Sequence, residues 1–247
     1  HVLPTRCLIL GGEALRGDFV QEIRRLAPGC AIVNHYGPTE TTVGVLTHLV
    51  EASQGHAEGD VPVGRPLSLV QAHVLDIDGQ PVPIGVPGEL YIGGQQVTRG
   101  YLGRPEATAE RFIPDPFSHV PGARLYRTGD RAKRRADGTV EFLGRIDHQV
   151  KLRGFRIELG DIESALLRHD DVHEAVAMVR GEGSDARLVA YVVASHAGEQ
   201  LAARLSAYAA EQLPLYMQPS AIMGLERLPL TINGMTCARW RRRARWV

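Results

Sequence analysis

At 247 residues, with 28 Lys plus Arg against 28 Asp plus Glu, the chain is long enough for one large or two smaller domains. It carries no net field that would hold it on nucleic acid or on an anionic membrane. Hydrophobic residues make up 44%, enough for a packed core, and no apolar run approaches membrane-spanning length. Cys7, Cys30 and Cys237 lack metal-ligand spacing and read as reduced thiols, so a cytoplasmic location is expected. Arg239 to Arg245 is the one strongly basic cluster, but its only aromatic neighbours are Trp240 and Trp246, and no nucleic-acid partner is expected. The sequence opens on His1 almost directly into a strand-like segment and reads as a piece of a longer protein.

Cys7–Leu10 is a short apolar run ending in Gly11-Gly12-Glu13, which predicts a buried strand entering a loop. Arg16–Leu26 has helical spacing, with Phe19, Ile23 and Leu26 on one face and Pro28-Gly29 closing it. Ala31–Val33 predicts a second buried strand. Strand–helix–strand order argues for a parallel α/β unit, whose ligands sit beyond the carboxyl ends of the strands. The segment that follows, Asn34-His35-Tyr36-Gly37-Pro38-Thr39-Glu40, joins an aromatic ring, a Gly-Pro turn, a hydroxyl and a carboxylate. On residues alone it is either an ordinary turn with a capping Thr or a loop suited to a base, a phosphate oxygen and a hard cation.

From Val61 to Gly144 the texture changes to short alternating runs broken by Gly, Pro and Asp, as at Gln71–Leu75, Glu89–Ile92, Arg124–Thr128 and Thr139–Leu143. Such spacing predicts an antiparallel sheet or distorted barrel, interrupted by one short helix over Pro105–Phe112. Asp130, after a strand and Gly129, is either a turn-initiating residue or an acceptor-only carboxylate placed for two vicinal hydroxyls. His56, His73 and His119 have no metal spacing and read as surface residues. Gly144–Glu163 predicts a strand, a polar joint, a strand at Gln149–Leu152, a turn at Gly154 and a helix opening near Leu159. Beyond it come a helix to Arg168, strands Val172–Val179 and Leu188–Ala194, helix Glu199–Gln212 and strand Ala221–Leu225, a compact α+β pattern.

The order of residues in GRIDHQVKLRGFRIELGDIE resembles the hinge motif of the adenylate-forming enzymes, in particular the adenylation domains of nonribosomal peptide synthetases. Gly88–Phe112, Tyr126–Asp130, Asn34–Glu40 and Leu213–Pro219 are similar to further motifs of that family. The resemblance covers nearly the whole chain but only about the second half of the family's domain. It implies an α/β plus α+β fold: the C-terminal part of a large core over residues 1–146, then a small mobile lid over 147–247. The core would hold the end of a parallel α/β sheet in 1–50 and a distorted antiparallel β-barrel portion in 61–146, with the hinge at Asp147.

The implied activity is formation of aminoacyl-AMP from an amino acid, ATP and Mg²⁺, then loading of a phosphopantetheine thiol on a peptidyl carrier domain beside neighbouring synthetase domains. By resemblance, Tyr36 would stack on adenine and Asn34 would help frame it, with Gly37 in the same nucleotide-binding loop. Thr39 would contact the α-phosphate, Glu40 would hold Mg²⁺, Asp130 would bind the ribose of ATP or AMP, and Arg145 would lie near ribose or phosphate. Ile9, Gly11, His35, Val43 and Gly44 would line the amino-acid pocket. Two departures from the family stand out. No glycine-rich phosphate loop is present, and Met235 follows Asn233-Gly234 where the family has a lysine that bridges substrate carboxylate and phosphate. Residues 235–247 read as an out-of-frame end. The alternatives are an acyl- or aryl-CoA ligase of the same superfamily and an inactive nucleotide-binding remnant.

Overall fold

The computed structural model describes residues 4–51, 59–147, 149–181, 185–195 and 199–228. They fall into two compact units, His1–Asp147 and His148–Val247.

The first unit begins with β1 (Cys7–Gly11), α1 (Gly17–Leu26), β2 (Ala31–Tyr36), β3 (Leu46–Val50) and β4 (Arg65–Pro66). β1 and β2 are parallel, as strand–helix–strand order requires, while β3 and β4 extend the sheet antiparallel in the order β1-β2-β3-β4. α1 covers one face. Val20 and Ile23 are buried with Leu15, Ile32 and Val50, and Leu8 and Leu10 pack against them. The expected Phe19/Ile23/Leu26 face is rotated: Phe19 and Leu26 are exposed and only Ile23 of the three turns inward. β2 is longer than the sequence indicated. It continues through Asn34 and His35 to Tyr36, so these residues alternate across a sheet and do not sit together in a loop.

Next come β5 (Val70–Leu75), β6 (Pro87–Gly94), the short helix α2 (Pro105–Arg111), β7 (Phe112–Pro114), β8 (Arg124–Arg134) and β9 (Val140–Arg145). The sheet runs β5-β6-β8-β7, and β9 shares the β7 edge of β8. The expected barrel does not close. Among the described residues β5 pairs with β6 but with neither β7 nor β9, leaving an open, mixed arrangement of sheets. The two sheets of this unit are stitched where Val63 N–H donates to Val140 O and Val140 N–H to Gly64 O. Their shared core includes Tyr36, Val45, Leu46, Val74, Leu90, Ile92 and Val140. His73, expected on the surface, stacks on Phe117 at 4.5 Å between ring centroids, and burial lowers its pKa.

The second unit opens with the hairpin β10 (Gln149–Leu152) and β11 (Phe155–Glu158), a strand that the sequence leaves unassigned between the turn at Gly154 and the helix opening near Leu159. α3 (Leu159–Leu167), β12 (Val172–Arg180), β13 (Arg187–Ala194), α4 (Glu199–Gln212) and β14 (Ala221–Leu225) follow. β12 and β13 are antiparallel and β13 and β14 parallel. The α3 stripe Ile162, Ala165 and Leu166 meets Leu201 and Leu205 of α4 over Ala177, Ala190 and Val192. Because strand side chains alternate, Val176, Met178, Val189 and Tyr191 form a separate cluster with Leu228. Leu166 is fully buried. Leu166→Ala should lower the unfolding free energy of this unit by about 2–5 kcal/mol in a denaturant titration; a loss below about 1 kcal/mol would contradict the packing.

Candidate functional site

Three segments far apart in sequence converge on one buried carboxylate. Tyr36 ends β2 and its hydroxyl donates to Asp130 Oδ2 in β8. Arg145, the last residue of β9, donates from Nη1 to Asp130 Oδ1 at 2.9 Å and to Thr128 O at 2.8 Å. Asp130 is only 3% exposed, so its charge stands in a place where an unpaired carboxylate would be costly. Burial, and next the Asp130 charge, hold the Tyr36 phenol well above its ordinary pKa, so it stays protonated and donates. An ionised carboxylate has about four lone-pair directions, so these two donors leave capacity for hydroxyl groups.

Arg145 is shared. Its Nε donates to Asp147 Oδ1 at 2.8 Å, its Nη2 meets Asp147 Oδ2, and Arg111 of α2 lies 3.6 Å from that same oxygen. Two carboxylates and two guanidiniums thus alternate around Gly129. A Cβ on Gly129 would lie 2.6 Å from Asp147 Oδ2 and 2.7 Å from Arg145 Nη2, and its φ of +73° disfavours any side chain.

The Gly37–Gly44 loop leaves β2 through a one-turn 3₁₀ helix, Thr39–Thr41. Thr39 is exposed. Glu40 accepts from the Tyr101 hydroxyl at 2.7 Å, and Thr98 N–H donates to Glu40 O, so the segment after β6 holds this loop. Among the described residues no cluster of three or more His, Cys, Asp or Glu is built to enclose a metal. One carboxylate is nevertheless a donor set that fits Mg²⁺, which is commonly held by one or two protein carboxylates together with substrate phosphates and water.

The alternation of β2 separates two kinds of chemistry. Asn34 and Tyr36 face inward, whereas His35 lies opposite Gly11 in the β1–β2 register, on the face that also carries Ile9. Val43 is 68% exposed, and the His35 ring lies over Gly44, where a Cβ would come within 1.8 Å of Nε2. Ile9, Gly11 and His35 therefore share the face of the first sheet opposite to Tyr36, with Gly44 against the His35 ring. The expected role of Asn34 in framing a base does not fit this geometry: the residue is 3% exposed and its amide donates to Val61 O and Pro62 O at 3.2 and 2.9 Å. Tyr36 is likewise only 6% exposed, so it presents its hydroxyl to the site's charges rather than an open ring face. Met235 lies outside the described residues.

Glu89, Tyr101 and Arg111 were missed in the sequence. Tyr101 reaches Glu40, Arg111 reaches Asp147 and Glu89 reaches Gly129 beside Asp130, contacts across strands and loops that residue type alone does not signal. The contact between Tyr36 and Asp130 is open to a double-mutant cycle with Tyr36→Phe and Asp130→Asn. A coupling of about 1 kcal/mol or more is expected in unfolding free energy; additive effects would show that the two groups do not pair.

Comparison with known proteins follows the same division of the chain. Residues 3–102 match the family model described as AMP-binding enzyme, and residues 161–235 match the AMP-binding enzyme C-terminal domain. Bacitracin synthase 3 of Bacillus licheniformis is 48% identical over 229 residues, covering 92% of this chain and 4% of that protein. Holo-PA1221, an NRPS protein containing adenylation and PCP domains and bound to a vinylsulfonamide inhibitor, gives a TM-score of 0.81 at 31% identity. That match covers 96% of this chain and 40% of the other. The Vibrio cholerae adenylation domain AlmE, solved with glycyl-adenosine-5'-phosphate, gives 0.81 at 28% identity over 96% of this chain and 44% of its own. The chain thus spans less than half of each of these relatives. It belongs to the AMP-binding, adenylate-forming enzymes, within the group formed by the adenylation domains of nonribosomal peptide synthetases.

Proposed function

We propose that this chain carries the ribose-binding and lid portions of an adenylation domain. In the complete protein that domain would form aminoacyl-AMP and pyrophosphate from an amino acid and ATP, then pass the acyl group to the phosphopantetheine thiol of a carrier domain. The single observation that carries this reading is the Tyr36–Asp130–Arg145 arrangement, in which a buried carboxylate is preorganised by two donors and retains lone pairs for vicinal hydroxyls. Asp130 would accept from the ribose hydroxyls. The Tyr36 hydroxyl fixes the orientation of that carboxylate, and Arg145 supplies positive charge on the ribose and phosphate side. Thr39, exposed at the start of the 3₁₀ turn, would donate to an α-phosphate oxygen. Gly37 would let the loop backbone approach the nucleotide. Glu40, oriented by Tyr101, would hold Mg²⁺, which when bound would neutralise phosphate charge.

Ile9, Gly11, His35, Val43 and Gly44 would line the amino-acid pocket on the opposite face of β2. Residues 1–146 would be core and 147–247 the lid, with Asp147 as the pivot held by Arg145 and Arg111. Among the described residues no helix is long and apolar enough to cross a membrane. Cys7 and Cys30 are free thiols, in keeping with the cytoplasmic location we assign.

Calorimetry of this chain with AMP tests the reading. AMP should bind, and Asp130→Ala should weaken it by about 10- to 100-fold, the worth of hydrogen bonds to a charged group. No AMP binding, or equal binding by the variant, would refute the assignment. Met235 stands at the position of the family lysine and a thioether offers no charge. In a complete adenylation domain carrying this segment, Met235→Lys should raise pyrophosphate exchange by about 10²–10³; equal rates would remove Met235 from the site.

A further inference from the structure

β8 is interrupted where it carries Asp130. Against β6 it pairs Arg131 with Glu89 and Arg127 with Tyr91, so Leu90 alone stands opposite Thr128, Gly129 and Asp130. The ladder to β9 is irregular at the same place, between Asp130 and Ala132. A bulge of this kind re-aims a side chain but leaves backbone groups without ladder partners. Here side chains replace them. Thr128 Oγ1 accepts from Asp130 N–H at 3.0 Å and donates to Leu90 O at 2.6 Å. The Gly129 N–H is taken by Glu89 Oε1 at 3.1 Å.

Glu89 is 9% exposed, and its carboxylate also accepts from Arg127 Nε at 3.1 Å and from the Tyr91 hydroxyl at 3.4 Å. A buried carboxylate whose oxygens meet a cation, a phenol and a bulge amide is fixed in place, and it fixes Gly129 in turn. Gly129 is the residue before Asp130 and is packed against Asp147 and Arg145. The geometry points to Glu89 as a positioning residue for ribose recognition: by capturing the Gly129 amide it holds the β8 bulge in the conformation that aims the Asp130 carboxylate at Tyr36 and Arg145. Glu89 touches no nucleotide in this scheme and acts only through the bulge. The inference rests on the assignment of Asp130 to the ribose hydroxyls.

The test compares binding of AMP and 2',3'-dideoxy-AMP by calorimetry to this chain and to three variants. The wild-type chain should prefer AMP by about tenfold or more, the worth of hydrogen bonds to a carboxylate. Glu89→Met keeps the shape but removes the acceptor, and should erase most of that preference while leaving the affinity for dideoxy-AMP unchanged. Glu89→Gln keeps an acceptor for Gly129 and should restore the preference. Arg127→Met removes the cation but not the acceptor, and should keep it. The Arg127 side chain is 38% exposed and can reach water when Glu89 is replaced, so Glu89→Met does not strand a buried charge. Should that variant fail to fold, Glu89→Asp, which withdraws the carboxylate by one methylene, carries the same expectation. A wild-type chain that binds both nucleotides equally would refute the ribose assignment and the Glu89 inference together. A wild-type preference that persists undiminished in folded Glu89→Met would refute the Glu89 inference alone. A general weakening of both nucleotides by Glu89→Met, with their ratio kept, would mark a structural role only and would also overturn it.

Discussion

The pairing of Asp130 with Tyr36 and Arg145 is the constraint on which the first unit depends. A carboxylate 3% exposed is tolerated only if its charge is matched by donors close at hand. Its partners come from β2 of one sheet and β9 of the other, so both sheets must reach their native registers before the charge is satisfied. The backbone stitch at Val63, Gly64 and Val140 joins the same two sheets by ordinary amide pairing. The apolar cluster around Leu46, Leu90 and Val140 then excludes water from the seam. Burial makes the pairing strong and makes its absence costly, and both effects act toward one arrangement.

The two-residue period of β2 gives a second consequence. Tyr36 points toward the charged cluster only because it stands two residues after Asn34, while His35 between them takes the other face with Gly11 and Ile9. A slip of one residue in the β1–β2 or β2–β3 pairing would send His35 into the seam and Tyr36 out of it. Asn34 guards against such a slip. Its amide is tied to two consecutive carbonyls, Val61 O and Pro62 O, and a one-residue slip would turn it to the opposite face and break both bonds. Asn34 thus ties β2 to the segment at Val61 and Pro62 and supports the register that points Tyr36 inward.

Much of this was legible in the residues. The apolar runs at Cys7, Gln149, Leu188 and Ala221 form strands, and the 3.6-residue spacing of Ile162, Ala165 and Leu166 is the buried stripe of α3. Tyr36, Asp130 and Arg145 could be grouped only through the resemblance of their motifs to those of the adenylate-forming family, since nothing in their spacing links them. Pairing across long separations was less visible. Asn34-His35-Tyr36-Gly37-Pro38 reads locally as a turn, yet pairing with β1 and β3 draws its first three residues into a strand. The barrel was overextended because alternation indicates strands but not which edges meet. α1 was rotated in the reading because Phe19 and Leu26 have the right spacing, and only the position of the sheet decides that Val20 is buried instead. Glu89 was invisible because a single acid in a strand says nothing about a bulge in its neighbour.

The chemistry of Arg145 explains why one side chain joins the buried Asp130 to the end of the first unit. A guanidinium offers five donors in a rigid plane, and here they are divided among Thr128 O, Asp130 and the two oxygens of Asp147. A lysine could approach one of these acceptors but could not span all of them in fixed geometry. Asp147 therefore does not adopt its side-chain position independently of Asp130, since both answer to the same planar group. Arg111 adds a second cation on the far oxygen of Asp147 without reaching Asp130 by a direct bond. Donors that Arg145 gives to one acceptor are withdrawn from another, so a shift of either carboxylate is felt by the other through the shared plane.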